Sequence, residues 1–231
     1  MFSKKISQLA WMLLFIFAGI FSACRKDYYE DSGLQIGIYP ESGLAFLQQK
    51  PFYFDSLVTV VHLAGMDAVL EDSTVTFFAP TDHSIAKAMD IINAERYNKF
   101  EDSLRLEDIP SEVWKKFLSR YIFQGKYMLK DIARRDDNQL NVYPGMNLES
   151  WEGYIMNIGT VFSDYEGTKD VGPRQIEITD IGDLANPVNY TSLVATSDIQ
   201  TSNCIIHILD DDHDFSFSLP DFETMVNQYI H

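Results

Sequence analysis

The chain predicts an α+β domain, helical in its first half and strand-rich in its second, with its sheets covered by helices. Three observations point there. From Phe54 the apolar residues Leu57, Val58, Val61 and Ala64 recur at spacings of three and four, the period of one helix face. The run TVTFFAP at residues 74–80 is β-branched and aromatic and ends in proline, which reads as a strand. Beyond Gln139 the apolar segments shorten and are parted by turn residues, as in a succession of strands. No repeat occurs at a fixed period.

The first element is not part of that fold. Residues 6–23 are apolar apart from Ser7, Gln8 and Ser22, and follow Lys4 and Lys5. The strongest run, 9–21, falls short of the roughly 20 apolar residues that cross a bilayer as a helix. A basic start, a short apolar core and the small residues Ser22 and Ala23 describe a secretory leader, with an uncleaved anchor as the alternative. Cys24 follows directly, an arrangement that resembles the lipobox of bacterial lipoproteins, whose cysteine is lipidated and becomes the mature N-terminus. The expected division is therefore a leader at 1–23, a lipidated tether at 24–38 and a folded domain at 39–231.

Without the leader, 16 basic residues face 34 acidic ones, a net charge of −18. That sign repels nucleic-acid phosphates and gives no general attraction to anionic lipid. Nucleic acid is excluded as a partner, and bilayer attachment is left to acyl chains on Cys24. Cys204 is the other cysteine, in the apolar run CIIHIL, so a disulfide framework is excluded and a buried, inert thiol expected.

Along the domain, a short helix is expected within 41–50, with Ser42 as cap and Pro51 as its stop. The next runs from Phe54 to Leu70, started by Asp55 or Ser56. After the strand at 74–80, Thr81 or Asp82 caps a helix through HSIAKAMDII, and the polar stretch 93–108 reads as a surface excursion. Ser111 caps a helix with Trp114, Phe117, Leu118 and Tyr121 on one stripe, closed by Gly125. A short helical piece, YMLKDIA, precedes the polar turn RRDDN. Strands are expected at 140–143, 154–160, 175–179, 192–196 and 204–209, with a long polar loop at 164–174.

Two segments carry a resemblance. DSTVTFFAPTDHSI (72–85), containing Phe77, Phe78, Ala79, Pro80, Thr81 and Asp82, resembles the first conserved box of fasciclin-like domains. TSNCIIHILDDDHDF (201–215), containing Asn203 and His207, resembles their second. Between them FLSRYIFQGKY resembles the family's central tyrosine–histidine region, although Tyr121 is followed here by Ile122, and position 204 is cysteine where the family commonly has glycine. The resemblance covers about 54–217. It implies a β-sandwich-like core wrapped by N-terminal and central helices, and a non-catalytic role in adhesion or ligand binding. The whole chain is similar to fasciclin-like lipoproteins of Bacteroidota. Lys26-Asp27 soon after the cysteine resembles their export signal, which implies an outer-membrane protein facing the cell exterior.

Physically the boxes read as structural: Phe77, Phe78, Ile205, Ile206 and Ile208 fill one core, His207 is a hydrogen-bonded buried imidazole, and Asn203 ties down the turn before the late strand. No HExxH, GxSxG, P-loop or paired CxxC occurs, so no enzyme, cofactor or metal site is expected. The acidic run 210–214 offers oxygen ligands for calcium, and His213 an imidazole for zinc, but the spacing lacks the glycine turn and distal glutamate of a calcium loop. The ligand-binding candidates lie in NLESWEGY. Trp151 beside Tyr154 offers an aromatic platform, and Glu149 and Glu152 hydrogen bonds; Asp164 could add to them. The expected function is a surface adhesion or protein-binding module whose partner is an outer-membrane or extracellular protein. The alternative is a glycan-binding accessory subunit of a polysaccharide or nutrient uptake system.

Overall fold

The computed structural model describes residues 37–165, 167–169, 171–182 and 187–230. The leader, Cys24, Lys26, Asp27 and the tether up to Ile36 lie outside them. Helix α1 (Gly43–Gln48) starts where the Ser42 hydroxyl accepts the Ala45 N–H at 3.2 Å. Pro51, expected to stop it, opens α2 (Pro51–Leu63) instead, because the first helical turn has no use for the missing N–H. Phe54, at φ −138°, kinks α2, so its main segment restarts at Asp55. The orphan Leu57 N–H there donates to Asp82 Oδ1 at 2.9 Å. The single helix expected from Phe54 to Leu70 is two: α2 stops at Leu63, Gly65 turns the chain at φ +64°, and a short α3 (Asp67–Asp72) then leads into β1 (Val75–Ala79), buried at every position.

Neither Thr81 nor Asp82 caps α4 (Asp82–Asn98) through its side chain, because both are drawn to other partners. The surface excursion expected at 93–108 is partly helix, since α4 runs on to Asn98. Its polar residues fold back onto the following loop: Asn93 exchanges hydrogen bonds with the backbone of Leu104 at 3.0 and 2.7 Å, and Arg96 pairs with Glu101 at 2.9 Å. Helix α5 (Ser111–Leu118) is preceded by Pro110 rather than capped by Ser111, and passes through a 3-10 turn, Ser119–Tyr121, into β2 (Ile122–Gln124). YMLKDIA yields only a 3-10 turn, Leu129–Asp131.

The strand expected at 140–143 is a turn. Asp136 collects the N–H groups of Asn138 (on its carboxylate) and Gln139 (on its carbonyl), and Gln139 O accepts that of Tyr143; local bonds of this kind outcompete a ladder. Pairing begins instead with β3 (Met146–Glu149), after Gly145 at φ +73°. It continues through β4 (Ile155–Phe162), β5 (Arg174–Gly182), β6 (Pro187–Gln200) and β7 (Cys204–Leu209). A last helix, α6 (Leu219–Tyr229), lies beyond every expected element. It is held by Phe222, whose ring meets Trp114, Phe117 and Phe215 at 5.2–5.4 Å.

The strands form one sheet in the order β2-β1-β7-β6-β5-β4-β3. Register shifts near Val194, Thr196 and Ile199 bend the long β6, as bulges do, so its two halves belong to two facing layers. A bridge between Phe123 and Ser150, with the Trp151 N–H on Ile122 O at 2.8 Å, brings the outer strands together. The outcome is a nearly closed sheet flanked by helices. The fold class is the expected one, with the sandwich-like layers made from a single curled sheet. The chain crosses itself closely at Gly159, where a Cβ would stand 2.1 Å from Arg135 Cβ.

Candidate functional site

The two boxes are neighbouring parallel strands. Val75 pairs with Cys204, Phe77 with Ile206, Phe78 with His207 and Ala79 with Ile208. Phe77, Phe78 and Ala79 are fully buried, each of the phenylalanines worth roughly 1.5–3 kcal/mol of burial. Pro80 is buried where the ladder stops. Beyond it, Thr81 Oγ1 donates to Asp211 Oδ1 at 2.7 Å, and Asp82 caps α2 as described. His207 Nε2 donates to Tyr127 O at 2.9 Å and Nδ1 accepts the Asp198 N–H at 3.2 Å; burial lowers its pKa. Asn203 spans three elements. Its Oδ1 accepts the Gly43 N–H at 3.0 Å, and its Nδ2 donates to Leu70 O and Ser73 O at 3.0 and 2.9 Å. Cys204 faces Gly43, where a Cβ would stand 2.6 Å from its sulfur, and burial pushes its thiol up to about 11.

The Fasciclin domain family matches residues 53–211. The chain belongs to this family. Fasciclin domains are non-catalytic adhesion modules. Among solved structures, similarity extends to the FAS1 domain pair of the insect cell adhesion molecule fasciclin I. Identity is 18%, the TM-score 0.49, and the match covers 74% of this chain and 50% of that one. The chain therefore spans about half the length of that structure. No curated protein matches the sequence.

This fasciclin domain carries a buried polar network around Tyr121. The Tyr121 hydroxyl accepts the Ser216 N–H and meets His213 Nε2, both at 2.7 Å, while His213 Nδ1 meets Ser192 Oγ. The imidazole on Tyr121 thus comes from the second-box loop, not from position 122. Beside it Arg120 donates to Asp180 Oδ2 at 3.1 Å and to Ser216 O at 3.2 Å. The same carboxylate takes Tyr154 OH at 2.7 Å and the Gly182 N–H at 2.8 Å. Burial, then the bond to Asp180, pushes the Tyr154 phenol up to about 12.

Burial, reinforced by Lys87, pushes His213 down to about 3. The fold holds it neutral, whereas the unfolded chain takes up a proton below about pH 6.5. Its contribution is therefore present above that pH and lost as pH falls toward 3. His207 acts in the same direction, while Glu177, raised mainly by burial, loses stability as pH rises above the ordinary carboxylate range and so opposes both. Urea unfolding between pH 7 and 4 is expected to show falling stability, by up to about 1.4 kcal/mol per pH unit for each histidine. His213→Gln should flatten that limb; an unchanged slope would reject the assignment.

The acidic run does not converge. Asp210 Oδ1 takes the Asp212 N–H, Asp211 takes Thr81, Asp214 pairs with Lys87, and His213 turns inward. Among the described residues no cluster of three or more potential metal ligands stands together.

The NLESWEGY candidates separate. Tyr154 points to Asp180 beneath the Arg120 guanidinium, 4.2 Å above its ring. Glu152 pairs with Lys115 at 2.6 Å, while Asp164 lies on a different rim with Arg134 and Lys169. Trp151 and Glu149 remain together, lining a pocket of about 410 Å³ with Phe123, Gln124 and Tyr127. It lies at the seam where the Phe123–Ser150 bridge joins β2 to the end of β3. Sequence reasoning missed Phe123, Gln124 and Tyr127 as companions of Trp151. The aromatic spacing around β2 was a signal, but only closure of the sheet joins it to β3.

Proposed function

We propose that this chain is a lipid-anchored fasciclin module, displayed on the outer surface of the cell envelope, that binds another protein without catalysis. The observation that carries the binding role is the fasciclin match over residues 53–211. The anchor rests on sequence: Ser22, Ala23 and Cys24 after a short apolar leader, with Lys26 and Asp27 as the outer-leaflet signal. Presentation is the mechanism, with a rigid domain on a short tether meeting its partner through surface loops. Metabolic palmitate labelling should mark the wild type and leave Cys24→Ala unlabelled, and protease should shave the domain from intact cells. Label retained by the alanine variant, or full protection of the domain, would reject the anchor or the orientation respectively.

The seam pocket favours a second reading, glycan capture beside an outer-membrane uptake system. The Trp151 indole and the Tyr127 ring, both partly exposed, offer stacking faces, while Glu149 and Gln124 offer hydrogen bonds, a composition suited to a sugar ring. In polysaccharide-retardation gels the wild type should be slowed, and Trp151→Ala should lose about tenfold or more in affinity. Equal retardation of the two proteins would remove Trp151 from the site.

A further inference from the structure

A second pocket, of about 450 Å³, opens beside the first turn of α2. Its accessible apolar lining is Tyr39, Tyr53, Ala195 and Ile208, over the buried Phe46, Phe54 and Leu209, with Asp210 and Asp211 beside them. Both boxes reach it: Thr81 from the first and residues 208–211 from the second, tied by the Thr81–Asp211 hydrogen bond. At its lip stands an aromatic pair. Phe52 is 86% exposed and Tyr53 55%, with ring centroids 4.9 Å apart, edge to face. Pro51 at the helix start and the kink at Phe54 confine this pair to a single turn. Exposed aromatics on one helical turn beside an apolar pocket have the form of an interface anchor.

Charge selects the occupant. Asp211 is fixed by Thr81 and Asp210 by the Asp212 N–H at 3.0 Å. Exposed Asp55 follows the aromatic pair on α2. The lining also holds one cation, Lys50, whose ammonium is drawn over the Tyr39 and Phe46 rings at 5.5 and 5.1 Å, against the two carboxylates of Asp210 and Asp211. The whole chain carries −16, so a second copy, or an anionic lipid face, is repelled. We infer that this pocket docks a basic peptide segment of a partner protein, with one apolar side chain entering between Tyr53 and Ile208 and its cationic neighbours meeting Asp210 and Asp211. The inference rests on the protein-binding reading and locates its contact surface.

The test is fluorescence anisotropy of the full-length protein with two labelled dodecapeptides. Both carry a Leu-Trp-Leu core, flanked by lysines in one and by glutamates in the other. The lysine peptide is expected to bind about tenfold or more tightly than the glutamate peptide. Phe52→Ser with Tyr53→Ser should weaken it by about tenfold or more, with an unchanged melting temperature because both side chains are exposed. Asp210→Asn with Asp211→Asn keeps the acceptor oxygens for Asp212 and Thr81, and should abolish the preference between the peptides. Equal affinity for the two peptides, no binding of the lysine peptide, or equal binding by the aromatic variant would overturn the inference. So would binding to phosphatidylcholine vesicles that the aromatic variant loses, which would make the occupant a lipid. Adhesion of the whole protein to cells, scored for the wild type and the aromatic variant, separates the readings: adhesion kept by both sinks this pocket alone, and adhesion by neither sinks the protein-binding role with it.

Discussion

Replacing Arg120 by methionine is expected to destabilise the domain by about 3–5 kcal/mol, the usual cost of removing one partner from a buried ion pair. The Arg120 side chain is 7% exposed and that of Asp180 2%, so solvent cannot take over the abandoned carboxylate. Two further losses add to this. The guanidinium lies 4.8 Å above the Phe117 ring as well as over Tyr154, and its stem packs there. It also holds Ser216 O, in a turn where Ser216 (φ +73°) and Phe217 (φ +66°) both adopt the left-handed conformation. Non-glycine residues in that region cost of order 1–3 kcal/mol each unless their surroundings hold them. Arg120 and Tyr121 supply that hold from adjacent positions, one on the carbonyl and the other on the N–H of Ser216. Asp180→Asn in the methionine background removes the stranded charge while keeping an acceptor for Tyr154 and Gly182, and should recover a large part of the loss. A double variant no more stable than Arg120→Met alone would show that the turn, not the ion pair, sets the cost.

The Arg120 network also marks the boundary of what the amino-acid pattern could reveal. Periodicity and β-branched runs were enough for α2, α5, β1 and β7, because burial at each is regular along the chain. They failed where polar side chains do structural work. The second half of α4 reads as an excursion because Asn93 and Arg96, both helical, spend their side chains on a loop rather than on a helix face. The turn at 140–143 reads as a strand because Leu140 and Val142 flank Asn141 and Tyr143 adds an aromatic, while the Asp136 bonds that decide the matter are local and polar. Helix α6 has only Phe222 and Val226 buried at helical spacing, too little periodicity to stand out after the apolar strand that reads as the last element.

The candidate site divides in the same way. Thr81 and Asp82 were legible as helix-capping types, yet a cap reading assumes the nearest free N–H. Here the geometry sends Thr81 to a loop 130 residues away and Asp82 to another helix. NLESWEGY was legible as an aromatic, acidic turn, but a β-turn points successive side chains in different directions. Tyr154 therefore goes to Asp180, Glu152 to Lys115, and only Trp151 and Glu149 share a pocket. No one-dimensional pattern carries that division, because the partners come from β2, α5 and β5.

Asn203→Ala should cost about 3 kcal/mol, since one side chain supplies three hydrogen bonds at roughly 1 kcal/mol each. The groups it serves explain why water is a poor substitute. Gly43 N–H is a free donor at the start of α1, and Leu70 O and Ser73 O are acceptors at the end of α3, groups that no helix satisfies internally. Their simultaneous pairing fixes both helices against the residue that leads into β7, and so sets the register in which β7 meets β1. In a domain of this size the loss should appear as a melting temperature lower by about 6–12 °C. Asn203→Asp sharpens the test. It keeps the acceptor for Gly43 but sets a carboxylate against two carbonyls, so at pH 7 it should be at least as damaging as alanine. Below about pH 4 the protonated carboxyl regains one donor, and the gap to wild type, each measured at the same pH, should narrow. A gap that stays constant from pH 7 down to about pH 3 would mean that the two carbonyls had turned to solvent. In that case the α1–α3 junction, and not the hydrogen bonds of Asn203, would be what holds the two boxes in register.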